Sequence, residues 1–393
     1  MIAPLSPHTQ QEFQERGFSR RQIGRIGLIL GAGAIMAGLP RHRSRADTLP
    51  VGGVYPTGAI LLNGNEFWTG PFPSALPAGQ KALLNGNRYL TGKERQALLE
   101  AVATYDHISP ELVTPWPGSS DPLCRAVISF CSPTQGLVTS NPTYETVWGV
   151  AEWLQIPLTK VPLKADNGYT TDVRAMLKAD PHAGMYYICS PNNPTGTVTP
   201  LSDIAWLARN IPKKSVLVVD EAYLHFSNAT SAVSLLGSCR NLVVLRTFSK
   251  LFGMAGLRLG LSISHPQLHD RMMRYDGIYQ TTMLSVPAVS IGTDSLKDQA
   301  EIAKRRSETR QNRKVMQECL SHYGVRTIPS DANMLMADWR TAPGSIVKTF
   351  AQNNVIIGRS WDIWPTCSRI TVGSASDVQV FCKAMEQVAS LIK

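Results

Sequence analysis

Short apolar runs set at regular intervals do most to limit how this chain can fold. Strand-like segments fall at residues 136–139, 158–162, 185–189, 216–219, 242–246 and 259–263. Amphipathic, helix-like segments lie among them at 93–105, 121–130, 144–154 and 201–210. The runs Val216–Val219 and Leu242–Leu245 are apolar throughout rather than alternating. Strands covered on both faces of a parallel sheet read in this way. Strand and helix in alternation therefore predict an α/β fold with a mostly parallel central sheet. At 393 residues the chain is long enough for a large domain and a smaller one. We expect an N-terminal extension over 1–46, a Gly-, Pro- and Asn-rich arm over 47–91, a large domain over 92–290 and a small α/β domain over 291–393. A long charged helix at Ser295–His322 would enter the small domain, and a helix at Val378–Ile392 would end it.

Charge and cysteines narrow the function classes. Seven arginines against Glu12 and Glu15 in residues 1–46 supply half of the formal net charge of +10. The remaining surplus is mild and shows no basic stripe interleaved with aromatics, so a nucleic-acid partner is not expected. The seven cysteines include no Cys-x-x-Cys pair, and the histidines do not cluster, so no metal site is expected.

Chemistry concentrates around Lys250. The run 242–258 carries an apolar strand into Ser249-Lys250, and Arg258 follows eight residues later. A lone lysine after a strand is ordinarily a solvated surface group. Here it arrives with a hydroxyl and a guanidinium group, as a pyridoxal phosphate (PLP) site requires: an amine to hold the aldehyde as an imine, and partners for the phosphate. Such a lysine becomes useful when burial and nearby cations lower its pKa. Asp220 closes another apolar run, at the end where open α/β sheets bind ligands. Gly118-Ser119-Ser120-Asp121-Pro122 opens a helix whose free backbone N–H groups form an anion site. Ser190-Pro-Asn-Asn193-Pro-Thr-Gly196 follows a third strand.

Taken in this order, the segments resemble the class I/II PLP-dependent aminotransferases, and among them the histidinol-phosphate aminotransferase-like group, over about residues 60–375. The resemblance implies fold type I, with PLP held as a Schiff base on Lys250, which also acts as general base and acid. It implies that Asp220 pairs with the pyridine nitrogen, and that Tyr223 and Asn193 bond the phenolic oxygen. The Asn193–Pro194 bond is then a candidate for the cis form. Ser119, Ser120, Asp121, Ser249 and Arg258 would hold the phosphate, and Tyr144 would stack on the ring. Arg369 would grip the substrate α-carboxylate as a bidentate pair, with Asn65 of Asn63-Gly-Asn65-Glu66 on the same side. Tyr89 would reach the phosphate of a neighbouring subunit, which implies a homodimer. The implied reaction moves an amino group from an amino acid or related amine to a 2-oxo acid. The same group includes decarboxylases of the threonine-phosphate type, and an exported relative would suit tailoring of a metabolite such as a siderophore. Leu90, Trp68, Pro122 and the stretch Ile278–Pro287 depart from the family pattern, chiefly on the substrate side.

The N-terminus resembles a twin-arginine (Tat) export signal. Ser19-Arg20-Arg21-Gln22 precedes an apolar stretch at Ile26–Leu39, then a basic tail ending in Ser44-Arg45-Ala46. That stretch is too short for a bilayer, which needs roughly 20 residues, so no stable membrane anchor is expected. The resemblance implies the Tat machinery as a partner, cleavage after Ala46, and a periplasmic enzyme, or a cytoplasmic one where the signal is not used.

Overall fold

The computed structural model describes residues 5–31, 54–275 and 277–392. Two helices come first, α1 (Pro7–Glu15) and α2 (Arg20–Gly31), followed by a short strand β1 (Ile60–Leu62) and helices α3 (Leu76–Leu83) and α4 (Gly92–Asp106). The central sheet is then built from β2 (Val113–Trp116), β3 (Leu137–Asn141), β4 (Leu158–Pro162), β5 (Met185–Cys189), β6 (Val216–Asp220), β7 (Leu242–Thr247) and β8 (Gly260–Ser264). Their order is β2-β8-β7-β6-β5-β3-β4. Strands β3 to β7 run parallel, while β8 lies antiparallel between β2 and β7. The mostly parallel α/β expectation holds, and β4, β5 and α8 (Leu201–Asn210) match the sequence reading residue for residue.

Both faces of the sheet are covered, which is why its strands are apolar throughout. In β5, Tyr186 and Ile188 join the core cluster shared with α4, α7 (Val173–Ala179), α8 and α11 (Val286–Lys297). Their neighbours Met185, Tyr187 and Cys189 point into the opposite cluster, with α5 (Ser120–Phe130), α6 (Thr146–Trp153) and α9 (Pro266–Met273). A short helix α10 (Gly277–Thr282) leads into α11. A third cluster fills the C-terminal body: α12 (Gln299–His322), β9 (Arg326–Thr327), β10 (Met334–Asp338), α13 (Gly344–Gln352), β11 (Val355–Ile357), β12 (Cys367–Thr371) and α14 (Ala375–Val388). Strand β1 pairs in parallel with β11, so the arm is stitched to the small domain.

Three expectations change. The single helix at Ser295–His322 is two, α11 and α12, divided at Asp298, whose side chain caps α12 by accepting from the Glu301 N–H at 2.9 Å. Residue 290 therefore falls inside α11, which packs on α3 of the arm and on α4 of the large domain. The arm is not merely extended, because α3 starts at a proline-rich turn and packs on α11. Residues 5–31, within the segment expected to act as an export address, fold against the large domain: Phe13, Phe18, Ile23, Ile26 and Leu30 are buried in the α5/α6 cluster. Full burial of side chains such as Phe13 and Ile26 stabilises by roughly 1.5–3 kcal/mol each. The basic tail and Ala46 lie outside the described residues, and among the described residues no helix is long and apolar enough to cross a membrane.

Candidate active site

Because β5, β6 and β7 run parallel and in register, their C-terminal ends open side by side. Cys189 pairs with Asp220, and Asp220 with Leu245. The segments that follow, 190–196, 220–223 and 247–250, therefore meet at one edge, where open α/β sheets bind ligands. A cavity of about 290 Å³ lies there, lined among others by Ser119, Ser120, Tyr144, Asp220, Tyr223, Ser249, Lys250 and Arg258. It sits at the small end of ligand cavities, which start at about 300 Å³.

Lys250 is half-buried, with Nζ 5.6 Å from the centre of the Tyr223 ring. Burial is the main cause that pulls its pKa down to about 8, and the Arg369 and Arg258 cations act in the same direction. Glu66 and Asp220 offset part of this. A neutral amine is thus accessible under mildly alkaline conditions.

Two adjacent acids show what the cavity asks for. Asp220 and Glu221 are both buried. Glu221 accepts from Arg246 Nε at 3.0 Å, and Arg246 also pairs with Asp106 at 2.6 Å. Asp220 accepts from the Tyr187 hydroxyl at 2.9 Å and the Ala222 N–H at 3.1 Å, both neutral donors. Its pKa is pushed up to about 6, above all by burial. A carboxyl group that faces a cavity with only neutral hydrogen-bond donors is matched to a cationic ring N–H from a ligand.

The anion cradle is set by backbone. Gly118 has φ +88°, and a Cβ there would overlap the Arg258 guanidinium, so the position suits glycine alone. Gly260 presses as closely against the Gly118 backbone. Helix α5 begins at Ser120, presenting free N–H groups. Arg258 Nη1 donates to Ser249 Oγ at 3.3 Å, and Thr247 Oγ1 donates to the same oxygen at 2.9 Å. Ser120 Oγ and the Tyr144 hydroxyl stand 3.4 Å apart. Asp121 contributes its position at the helix start, but its side chain turns away: Oδ1 accepts from Arg125 Nε at 2.5 Å.

The substrate side is assembled across domains. Arg369, on β12, donates from Nη1 to Asn193 Oδ1 at 2.9 Å and from Nη2 to the Asn63 carbonyl at 2.6 Å. Its Nε is buried without a partner. Asn65 Nδ2 donates to the Tyr223 hydroxyl at 3.1 Å, and Asn65 Oδ1 accepts from Thr371 at 3.0 Å. The Asn193–Pro194 bond is cis. Of the sequence-named residues, Asn65, Asn193 and Arg369 do not line the cavity but are joined by hydrogen bonds to Tyr223 or to each other, whereas Tyr89 is 77% exposed and also outside the lining. Glu66, Thr247 and Cys189, which line the cavity, and Tyr187, which orients Asp220, were missed. Glu66 was the most findable, since it follows Asn65 directly.

The donor set fits one cofactor on two counts: an acid awaiting a ring cation, and a glycine-floored cradle beside a serine and an arginine. PLP supplies the complementary groups, and the architecture is that of a PLP-dependent fold type I enzyme. The chain belongs to the class I and II aminotransferases, whose family model matches residues 57–385. Over 334 residues it is 30% identical to a histidinol-phosphate aminotransferase of Granulibacter bethesdensis, covering 83% of this chain and 88% of that one. An aromatic amino acid aminotransferase of Rhodococcus jostii is 28% identical, with 87% and 94% covered. The crystal structure of histidinol-phosphate aminotransferase from Sinorhizobium meliloti, in complex with pyridoxal-5'-phosphate, shares the fold at TM-score 0.78 and 24% identity, covering 85% of this chain and 92% of that one.

Proposed function

We propose that this enzyme is a histidinol-phosphate aminotransferase-like transaminase that takes the amino group of an amino acid or related amine and passes it to a 2-oxo acid. The observation that carries the reading is the placement of Lys250 and Asp220 on one cavity, with the Arg369 cation near enough to lower the Lys250 pKa. PLP supplies the electron sink for charge developing at the substrate α-carbon. Lys250, as a neutral amine, would take the substrate α-proton on its Nζ and give it up again from there. Asp220 would accept a hydrogen bond from the ring N–H of bound PLP. Arg369 exchanges its contacts with Asn193 and the Asn63 carbonyl for the substrate carboxylate, and its unpartnered Nε is a ready second donor. The curated relatives named above are transaminases, which favours amino transfer over decarboxylation.

Two further readings belong to this proposal. A second copy of the chain would cover the outward-facing Leu83, Leu84 and Tyr89, and Tyr89 would reach the neighbouring cavity. The Ser19-Arg20-Arg21 segment would address the chain to the twin-arginine machinery, which places the substrate in the periplasm and suits an exported amine such as a siderophore side group. The test is amine-donor profiling of the purified full chain, histidinol phosphate included, with conversion to the pyridoxamine form read by absorbance. A donor that drives this conversion, reversed by a 2-oxo acid, supports transamination. Carbon dioxide release without that conversion would refute it. Cell fractionation decides the address: protein confined to the cytoplasm removes the periplasmic reading.

A further inference from the structure

The family match begins at residue 57, yet the described chain starts with a folded hairpin that the family model does not include. Gly17, at φ +88°, turns α1 into α2. The side-chain donors of this hairpin reach backbone carbonyls of the large domain at two places. Arg16 Nη2 donates to the Ile128 carbonyl at 2.6 Å and to the Cys131 carbonyl at 2.8 Å, at the C-terminal end of α5. Gln22 Nε2 donates to the Leu154 carbonyl at 2.7 Å, and Arg25 Nη1 to the Trp153 carbonyl at 2.6 Å, at the C-terminal end of α6. Arg25 also stacks 4.8 Å from the Trp153 ring centre. The last carbonyls of a helix lack intrahelical partners and carry the negative end of its dipole, so guanidinium groups suit them.

These two helices hold the cofactor site at their other ends. Helix α5 starts at the phosphate cradle, and α6 follows directly on Tyr144 and Glu145. A helix the length of α5 is about 16 Å long and behaves as a rigid rod. A side-chain line joins the same points: the Tyr275 hydroxyl donates to Glu12 at 2.6 Å, Arg125 donates to the Tyr275 carbonyl, and Arg125 holds Asp121 at the cradle.

We propose that residues 5–31 are a resident clamp of the working enzyme, gripping the C-terminal ends of α5 and α6 and so holding their N-terminal ends in place for PLP. Arg16 and Arg25 are positioning residues that never touch the cofactor. In whichever compartment the enzyme acts, the clamp stays attached to it, and cleavage after Ala46 would weaken the cofactor site. The clamp acts on cofactor binding alone, whatever the substrate.

The experiment compares three full-length forms: the native chain, Arg16→Gln/Arg25→Gln, and Arg16→Lys/Arg25→Lys. PLP dissociation constants are measured by absorbance titration of the apoenzyme, and amide hydrogen exchange is followed in parallel. The Gln variant should bind PLP about three- to tenfold more weakly, with faster exchange in α5 and α6 and unchanged exchange in α14. The Lys variant, which keeps the charges, should recover part of the affinity. The intact mass of holoenzyme isolated from cells should include residues 5–31. Native PLP affinity and native α5/α6 exchange in the Gln variant would overturn the clamp, as would native holoenzyme whose chain begins after residue 46.

Discussion

The cofactor side and the substrate side of the cavity are built by different means. On the cofactor side, Asp220, Ser249 and Lys250 stand at or just beyond the ends of adjacent parallel strands, and the sheet alone puts them together. On the substrate side, Asn63 and Arg369 are 306 positions apart yet bonded, and Asn65 and Thr371 are equally distant. That side exists only while the arm, the large domain and the small domain are packed together. The first is a property of one sheet, whereas the second is a property of the whole assembly.

Removing the central amine should give the largest effect. Lys250→Ala is expected to lower turnover by about 10⁴-fold, since the group that takes the α-proton and then delivers it on the cofactor side is lost. Borohydride treatment should then leave no cofactor attached to the chain. Full turnover in this variant would dissolve the cofactor side as described.

Neighbouring acids should then part company. Asp220→Asn is expected to reduce kcat by about 10²- to 10³-fold with little loss of stability, because a neutral amide cannot hold the ring proton. Glu221→Gln should do the opposite: it weakens the buried contact to Arg246 and costs about 1–3 kcal/mol in denaturant unfolding, while kcat per folded molecule stays near native. Equal kinetic damage from the two would show that the distinction between a ligand-facing and a structural acid is wrong.

Arg369→Lys tests the other side. A lysine keeps the charge but loses the planar fork, so KM for the amine should rise about 10- to 100-fold, with PLP affinity unchanged. If PLP affinity fell as well, the two sides would not be separable.

The same difference explains what could be read from sequence. Lys250, Asp220 and the Gly118–Asp121 turn were legible because strand ends and helix starts are local features, and the parallel sheet brings them together without further instruction. Arg125 and Tyr187 were not, because each acts on a residue of the site from within a helix or strand that otherwise reads as core. The break at Asp298 was hidden because helical patterning continues across it, although Asp298 with Glu301 is itself a capping signal. The arginines of the N-terminal hairpin and the glycine- and alanine-rich apolar stretch point to an address. Ile23, Ile26 and Leu30 also form a helical stripe, the pattern of a helix docked on a core. Composition carried one reading and periodicity the other.

The smallest effect is in pH. Lys250 titrates near 8 in the folded apoenzyme, against an ordinary value of 10.5. Between these values the unfolded chain holds more protons than the folded one, so this group makes apoenzyme stability rise with pH from about 8 to 10.5. Asp220 acts in the other direction at acid pH: its value is raised from 3.8 to about 6, so its contribution to stability falls as pH rises through that window. Covalent capture of PLP needs the neutral amine, and its rate in apoenzyme should therefore climb through pH 8 and level off above it. Burial is the main cause of the lowered value and the Arg369 cation the second, so Arg369→Ala should shift the midpoint upward by only part of the gap to 10.5. This links the two halves of the cavity in one titration: a residue of the assembled substrate side tunes the amine of the sheet-built cofactor side. A midpoint unmoved by Arg369→Ala would mean that the two sides, joined in space, are electrostatically independent.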